Sequence, residues 1–282
     1  MPAPSVPRTG FAYLDEVLDL PGPIPMAHRG GAKVPELRGL ENTMVAFRHA
    51  AGLGYRYFET DVHASSDGEL FLMHDERLDR VCDRVGHIAE LSAADIESVR
   101  IGGREPIPRL TDLLEEFPEA RVNIDIKAPG AVQPLVAVLD RMNAHQRVCV
   151  GAFDRERIVE FRAATAGKVA TSAAKSETIR FLLSGHTAGR ELLARAGVSV
   201  LQLPRVRGPI PVVRPWLVRR AHAAGVHIHV WTVDRARQMG VMIDAGVDGI
   251  FTDRTDVLKD VLSARGLWEG RTNGTGRDRR ER

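Results

Sequence analysis

Residues 57 to 76, YFETDVHASSDGELFLMHDE, place Glu59, Asp61 and His63 two apart on a run that is otherwise apolar, and end a second apolar run on His74 and Asp75. In an extended strand, residues two apart face the same side. Burying paired carboxylates without a compensating cation costs on the order of several kcal/mol per ion, so positive charge is expected beside them. The same placement recurs along the chain. His28 and Arg29 close one apolar run, Asp125 and Lys127 close another, and Trp231 lies near the end of a later one. Glu59, Asp61 and Asp125 are hard oxygen donors, a set suited to Mg²⁺ or Ca²⁺ more than to zinc. The competing expectation is a plain ion-pair network with Arg29 and Lys127. Arg29 can grip a phosphate with two parallel hydrogen bonds and Lys127 adds a point charge. Cation, arginine and lysine together suit a phosphate diester, whose transition state gathers charge on the nonbridging oxygens. His28 and His74 fit proton transfer, since imidazole is the side-chain type whose ordinary pKa suits a general acid or base near neutral pH. Asp75, next to His74 in sequence, is expected to brace the loop.

These groups need a scaffold that gathers strand ends. Strand-like runs occur at 25–28, 57–63, 69–74, 122–127, 148–153, 168–172, 198–203, 226–233 and 249–252, separated by amphipathic helical segments. Gly54, Gly167, Gly185, Gly197, Gly225, Gly246 and Gly266 follow helical patterns, where a left-handed cap favours glycine. Such alternation predicts a parallel sheet. Roughly eight units over 282 residues predict an α/β chain folded as a TIM (β/α)8 barrel, with an open doubly wound sheet as the alternative. In a barrel, strand C-terminal ends meet on one rim, where active sites form. The expected organisation is an N-terminal extension (1–24), one barrel domain (25–266) with a polar, turn-rich insertion (78–109) after the third strand-like run, and a Gly- and Arg-rich disordered tail (267–282).

Bulk properties narrow the classes of function. A formal net charge of +2 argues against a nucleic-acid partner. The first 25 residues lack a basic start and apolar run, and no stretch of about 18 apolar residues is present, so neither a secretory signal nor a membrane anchor is expected. Cys82 and Cys149 have no metal-ligand spacing and fit free thiols in a reducing compartment. A cytoplasmic location is the expectation. The oligomeric state is not legible. His222, His227 and His229 look like a metal cluster on paper, but no carboxylate accompanies His227 and His229 on the strand face they share, and packing is the expectation, with His229 near the rim as the alternative.

The segments AHRGG (27–31), ENTMVAFRHAAGLGYRYFETDVHASSDGELFLMHD (41–75), NIDIK (123–127), VWTVD (230–234) and GIFTD (249–253) resemble the glycerophosphodiester phosphodiesterase family, in family order. The resemblance implies a TIM barrel that uses a divalent metal to hydrolyse small-molecule glycerophosphodiesters to glycerol 3-phosphate and an alcohol. By motif, it makes His28 and His74 the acid/base pair and Glu59, Asp61 and Asp125 the metal ligands. Arg29 and Lys127 go to the phosphate, and Phe153 and Trp231 to the glycerol or alcohol end. In the route it implies, a glycerol hydroxyl attacks phosphorus and water opens the cyclic phosphate; direct attack by water is the alternative. Three positions depart from the family pattern: Asp125 where Glu is frequent, Leu40 in place of the usual Pro, and Ala152 where Ser is frequent. Two other readings remain open: a phospholipase-type enzyme acting on intact lipid, and a non-catalytic barrel that binds glycerol phosphate.

Overall fold

The computed structural model describes residues 6–268. Eight parallel strands form its wall: β1 (Ile24–His28), β2 (Tyr57–Ala64), β3 (Arg121–Ile126), β4 (Val148–Gly151), β5 (Ala170–Thr171), β6 (Val200–Pro204), β7 (His227–Trp231) and β8 (Gly249–Thr252). Neighbours in sequence are neighbours in the sheet, β8 returns to β1, and a parallel bridge from Ser172 to Val200 joins β5 to β6. The chain is therefore a TIM barrel, as the alternation of runs implied. The strands read as near-continuous apolar runs because parallel strands are buried on both faces; every residue of β2, β4, β5 and β8 is buried.

Nine helices of seven residues or more among the described residues pack outside: α1 (Met44–Gly52), α2 (Leu110–Glu116), α3 (Val132–Arg141), α4 (Arg155–Ala164), α5 (Lys175–Leu183), α6 (His186–Ala196), α7 (Pro215–Ala223), α8 (Ala236–Ala245) and α9 (Thr255–Ala264). Their apolar spacing decides which face turns inward. In α3, Val132, Leu135, Val138 and Leu139 are buried, one stripe at helical period. Gly197 and Gly246 end α6 and α8 in the left-handed conformation, as expected. Gly185 does not: it precedes α6 as its N-cap, with φ −67°.

The third strand-like run departs from expectation. Leu70–Leu72 pairs antiparallel with the end of β2, Val62 opposite Leu72, and takes no place in the barrel wall. The link is a tight turn, Ser65 to Gly68, whose Gly68 amide donates to the Ser65 carbonyl at 3.1 Å. A parallel return would need a crossover of a dozen or more residues. The hairpin delivers His74 above the end of β2 and starts the polar excursion. That excursion builds its own apolar cluster from Phe71, Met73, Leu78, Ile88, Ile96 and Ile101.

At the opposite end, Tyr13 and Leu14 plug the barrel floor with Met26, Tyr57, Cys149 and Phe251, and the Tyr57 hydroxyl donates to the Tyr13 carbonyl at 2.8 Å. Of the tail expected from residue 267, Trp268 is buried against Tyr55, ring centroids 5.2 Å apart; positions 269–282 lie outside the described residues. No helix of the described residues is long and apolar enough to cross a membrane. Cys82 and Cys149 are free, and burial pushes the Cys82 thiol up to about 12.

The three later histidines separate. His222 Nε2 meets both oxygens of Asp248, in the loop before β8, at 3.0 and 2.9 Å. His227 Nε2 donates to the Pro7 carbonyl at 2.8 Å. His229 lies wholly inside the barrel, with no hydrogen-bond partner at either ring nitrogen. A methyl group on Gly249 would meet its Cδ2 at 2.7 Å, so the glycine makes room for the ring. Burial, and then the neighbouring His227, hold the His229 ring well below its usual pKa. The unfolded ring titrates near 6.5 and takes a proton that the folded ring refuses. Stability is thus complete above that pH and declines as pH falls through it toward the depressed folded value. His229→Leu removes this term. The drop in melting midpoint between pH 7 and pH 5 should shrink by roughly 2–4 °C for each kcal/mol of linkage removed. Parallel pH–stability curves for parent and variant, measured by calorimetry, would contradict the assignment.

Candidate active site

Strand register assembles the site. His28, last in β1, sits opposite Glu59 of β2, and Asp61 sits opposite Asp125 of β3. All nine residues singled out from the sequence (His28, Arg29, Glu59, Asp61, His74, Asp125, Lys127, Phe153 and Trp231) line one cavity of about 440 Å³ at the C-terminal rim. Gathering them takes the ends of β1, β2, β3 and β7, the loop after β4, and the hairpin strand's exit.

The turn after β1 is wound tightly. Arg29, Gly30 and Gly31 have φ of 51°, 82° and 94°. A Cβ on Gly30 would lie 2.6 Å from Ala46 Cβ, and one on Gly31 would lie 2.8 Å from the Thr255 side chain. Close packing on α1 and α9 therefore demands glycine here, and Arg29 accepts a strained backbone to turn its guanidinium inward.

Asp61 is the hub. Its Oδ1 accepts from Lys127 Nζ at 2.9 Å, its Oδ2 accepts from Asn42 Nδ2 at 3.1 Å, and Arg29 Nε lies 3.4 Å away. Lys127 also donates to Asp125 Oδ2 at 2.6 Å. Burial works against the Asp61 carboxylate, but Lys127 and Arg29 outweigh it and hold its pKa below the usual range. Glu59 is less well served. It accepts from the Arg29 backbone N–H at 3.1 Å, and burial together with the Asp61 charge pushes it up to about 7. Burial, reinforced by Asp61 and opposed by Lys127, raises Asp125. Two buried carboxylates and the half-buried Asp125 thus face two permanent cations.

The two histidines are each held by an aspartate. His28 Nδ1 lies 2.6 Å from Asp253 Oδ1, and its Nε2 lies 3.8 Å from Glu59. Burial opposes the charged ring, but Glu59 and Asp253 outweigh it and raise the pKa of His28. Asp253 is itself clamped by Lys33 at 2.7 Å; burial opposes its charge, yet His28 and Lys33 bring it down to about 2. His74 Nδ1 lies 2.6 Å from Asp75 Oδ1. Asp75 therefore touches the ring as well as bracing the loop, because its Oδ2 accepts from Arg80 Nε at 2.5 Å. Arg80 grips both oxygens of Glu41 at 2.8 and 2.7 Å, and Glu41 Oε1 also accepts from Arg29 at 3.0 Å. His63, buried, places Nε2 3.2 Å from the His74 carbonyl and fixes that backbone.

Asp253, Glu41 and Arg80 carried no role in the sequence reading. Asp253 directly follows the last barrel strand, so the strand-end rule that nominated the others would also have nominated it. Arg80 sits in the polar excursion, where no periodicity points inward.

In its chemistry the donor set suits a hard divalent cation. Glu59, Asp61 and Asp125 offer only carboxylate oxygens, and Glu59 stands without a neutralising ion pair of its own at hydrogen-bond distance. As the side chains stand, no group of three His, Cys, Asp or Glu among the described residues is placed to hold a metal ion; the Lys127 ammonium lies between Asp61 and Asp125.

The glycerophosphoryl diester phosphodiesterase family profile matches residues 28–257. The chain belongs to that family. A probable glycerophosphodiester phosphodiesterase 2 of Mycobacterium tuberculosis is 42% identical over 263 residues, spanning 93% of this chain and 98% of its own. Among solved structures, a putative glycerophosphoryl diester phosphodiesterase from Silicibacter pomeroyi superposes with a TM-score of 0.75 at 22% identity, over 92% of this chain and 99% of the other. An Oleispira antarctica phosphodiesterase, solved with its product sn-glycerol-3-phosphate, superposes with a TM-score of 0.70 at 20% identity, over 86% and 97% of the two chains. The resemblance carried by AHRGG, the 41–75 segment and GIFTD is thus one of shared membership in the glycerophosphodiester phosphodiesterases.

Proposed function

We propose that this phosphodiesterase hydrolyses glycerophosphodiesters to glycerol 3-phosphate and an alcohol, with His28 and His74 exchanging protons across a phosphate held at Arg29 and Lys127. The observation that carries this reading is one cavity lined by both aspartate-held imidazoles, three carboxylates and two cations. The printed name of the 42% identical relative and the product bound by the Oleispira enzyme support the substrate class.

Glu59, Asp61 and Asp125 would hold the divalent cation, Mg²⁺ or Ca²⁺. When bound, such an ion neutralises charge on the nonbridging oxygens and lowers the pKa of a coordinated hydroxyl or water. The remaining work belongs to the chain. The Asp253 carboxylate fixes the His28 ring through Nδ1, which turns Nε2 toward Glu59 and the cavity. Asp75 does the same for His74. Each ring therefore presents one nitrogen for a proton at the reacting centre, as displacement at phosphorus requires. Phe153 and Trp231, ring centroids 5.8 Å apart, wall the organic end of the substrate. Asp125 is one methylene shorter than glutamate and is raised by burial, so the cation is expected to bind more weakly at this corner than at Asp61.

The test is phosphate-ester release from a panel of glycerophosphodiesters, assayed after chelation and with Mg²⁺, Ca²⁺ and Mn²⁺ added back separately. Glycerol 3-phosphate should appear, vanish with chelator, and return with at least one ion. Tight binding of the diesters with no turnover under any ion would favour the non-catalytic barrel instead.

A further inference from the structure

The two imidazoles are carried differently. His28 ends a strand of the barrel wall, so sheet pairing fixes its backbone. His74 follows the hairpin strand, which lies outside the wall, and opens the polar excursion. Its neighbourhood is tied through the backbone: the Met73 amide donates to the Asp61 carbonyl at 3.0 Å, and His63 Nε2 lies 3.2 Å from the His74 carbonyl. Neither contact sets the direction of the ring. That falls to Asp75, whose Oδ1 lies 2.6 Å from His74 Nδ1. A partly exposed aspartate on a loop directs a ring only if its other oxygen is held. Among the described residues, the side chain that holds it is Arg80, further along the excursion.

Arg80 places all three guanidinium nitrogens on carboxylates. Nε donates to Asp75 Oδ2, and Nη1 and Nη2 donate to the two oxygens of Glu41 at 2.8 and 2.7 Å. A planar fork can make this double grip where an ammonium cannot. Glu41 Oε1 also accepts from Arg29 Nη1 at 3.0 Å. Charges therefore alternate along Arg29, Glu41, Arg80, Asp75 and His74, and direct contacts join the phosphate grip to the imidazole. The three middle members do not line the cavity. The Arg80 side chain is 46% exposed, and ion pairs that open to solvent ordinarily add little to stability. Folding alone gives small reason for so complete a set of bonds. Accepting the phosphodiesterase reading above, we propose that Arg80 and Glu41 are positioning residues: they fix the His74 imidazole relative to the guanidinium that holds the phosphate, and so couple the excursion to the reacting centre.

The experiment measures kcat and KM for glycerophosphocholine in the full chain, with the divalent ion that supports turnover present in excess. Arg80→Ala should lower kcat by about tenfold to hundredfold, the cost of a slightly misplaced catalytic group, with KM within about twofold of the parent. Arg80→Lys, which reaches one carboxylate at a time, should fall between the two. Glu41→Gln loosens Arg29 as well, so KM should rise as kcat falls. The deciding comparison removes the imidazole. In a His74→Ala background, Arg80→Ala should change the residual kcat by less than about twofold, because a residue that acts through another has nothing left to act on. Melting curves accompany every variant, and Arg80→Lys carries the same cycle if the alanine variant does not melt cooperatively. Parental kcat in a folded Arg80→Ala overturns the positioning role, and so does an equal loss with and without His74; both leave the phosphodiesterase reading intact. A parent that turns over no diester under any divalent ion overturns both.

Discussion

His28→Ala and His74→Ala are each expected to lower kcat on glycerophosphodiesters by about 10² to 10⁴-fold, the range for a positioned acid or base. Both rings sit at the rim, outside the apolar core clusters, with 15% of the His28 and 34% of the His74 side chain exposed, and each ring Nδ1 bonds a single aspartate at 2.6 Å. Melting midpoints should therefore change little while turnover collapses. Because the two rings act on one displacement, the double variant should lose about as much as the worse single one, not the product of the two losses. Asp253→Asn is a finer probe of the same idea. It keeps the shape and removes the charge that, after Glu59, holds the His28 pKa up. The expected result is a smaller kcat loss, roughly tenfold to hundredfold, with KM little changed, since Asp253 bonds His28 and Lys33 and not the cavity. Steady-state kinetics with calorimetry decide the matter. Either alanine variant retaining turnover within tenfold of the parent would remove that histidine from the acid/base pair.

The reach of the sequence can be judged residue by residue. The barrel was legible because buried parallel strands leave continuous apolar runs, and amphipathic helices alternate with them at regular intervals. The cavity residues were legible because each interrupts such a run at its C-terminal end: Glu59 and Asp61 in β2, Asp125 in β3, His28 at the end of β1. The rule that found them is steric alternation, and it holds wherever a strand is a strand. It misplaced Leu70–Leu72, since an apolar triplet has no direction until the turn length before it is weighed. Ser65 to Gly68 is too short for anything but an antiparallel return. It was also silent on the residues that hold the cavity side chains from behind. Glu41 and Arg80 meet across 39 residues of chain, and their pairing follows from how the polar excursion folds over the turn after β1. No local period encodes that.

Asp61→Asn should produce the second large effect, and its value lies in separating chemistry from folding. In the parent, Asp61 takes Lys127, Asn42 and the edge of Arg29 at once. The amide can accept from one of them and must point its own N–H groups at another, so the hub loosens. Breaking a buried pair by removing one partner ordinarily costs about 3–5 kcal/mol, because a charge is left alone. Here neither cation is stranded: Lys127 keeps Asp125 at 2.6 Å and Arg29 keeps Glu41 at 3.0 Å. The expected stability loss is therefore smaller, about 1–2 kcal/mol, or a few degrees in melting midpoint. Removing the Asp61 charge also takes away the like-charge repulsion that, with burial, pushes Glu59 up to about 7, so Glu59 becomes more acidic. A folded protein with one carboxylate fewer should bind Mg²⁺ or Ca²⁺ markedly more weakly in titration calorimetry. It should also turn over diesters roughly 10³-fold more slowly at any ion concentration, because charge stabilisation at the nonbridging oxygens is the largest contribution to such a step. If binding and turnover survive while the midpoint falls, Asp61 is structural, and the ion-pair network with Arg29 and Lys127 is its whole purpose. Only a loss of ion affinity and rate in a protein that still melts cooperatively is consistent with Asp61 as a cation ligand.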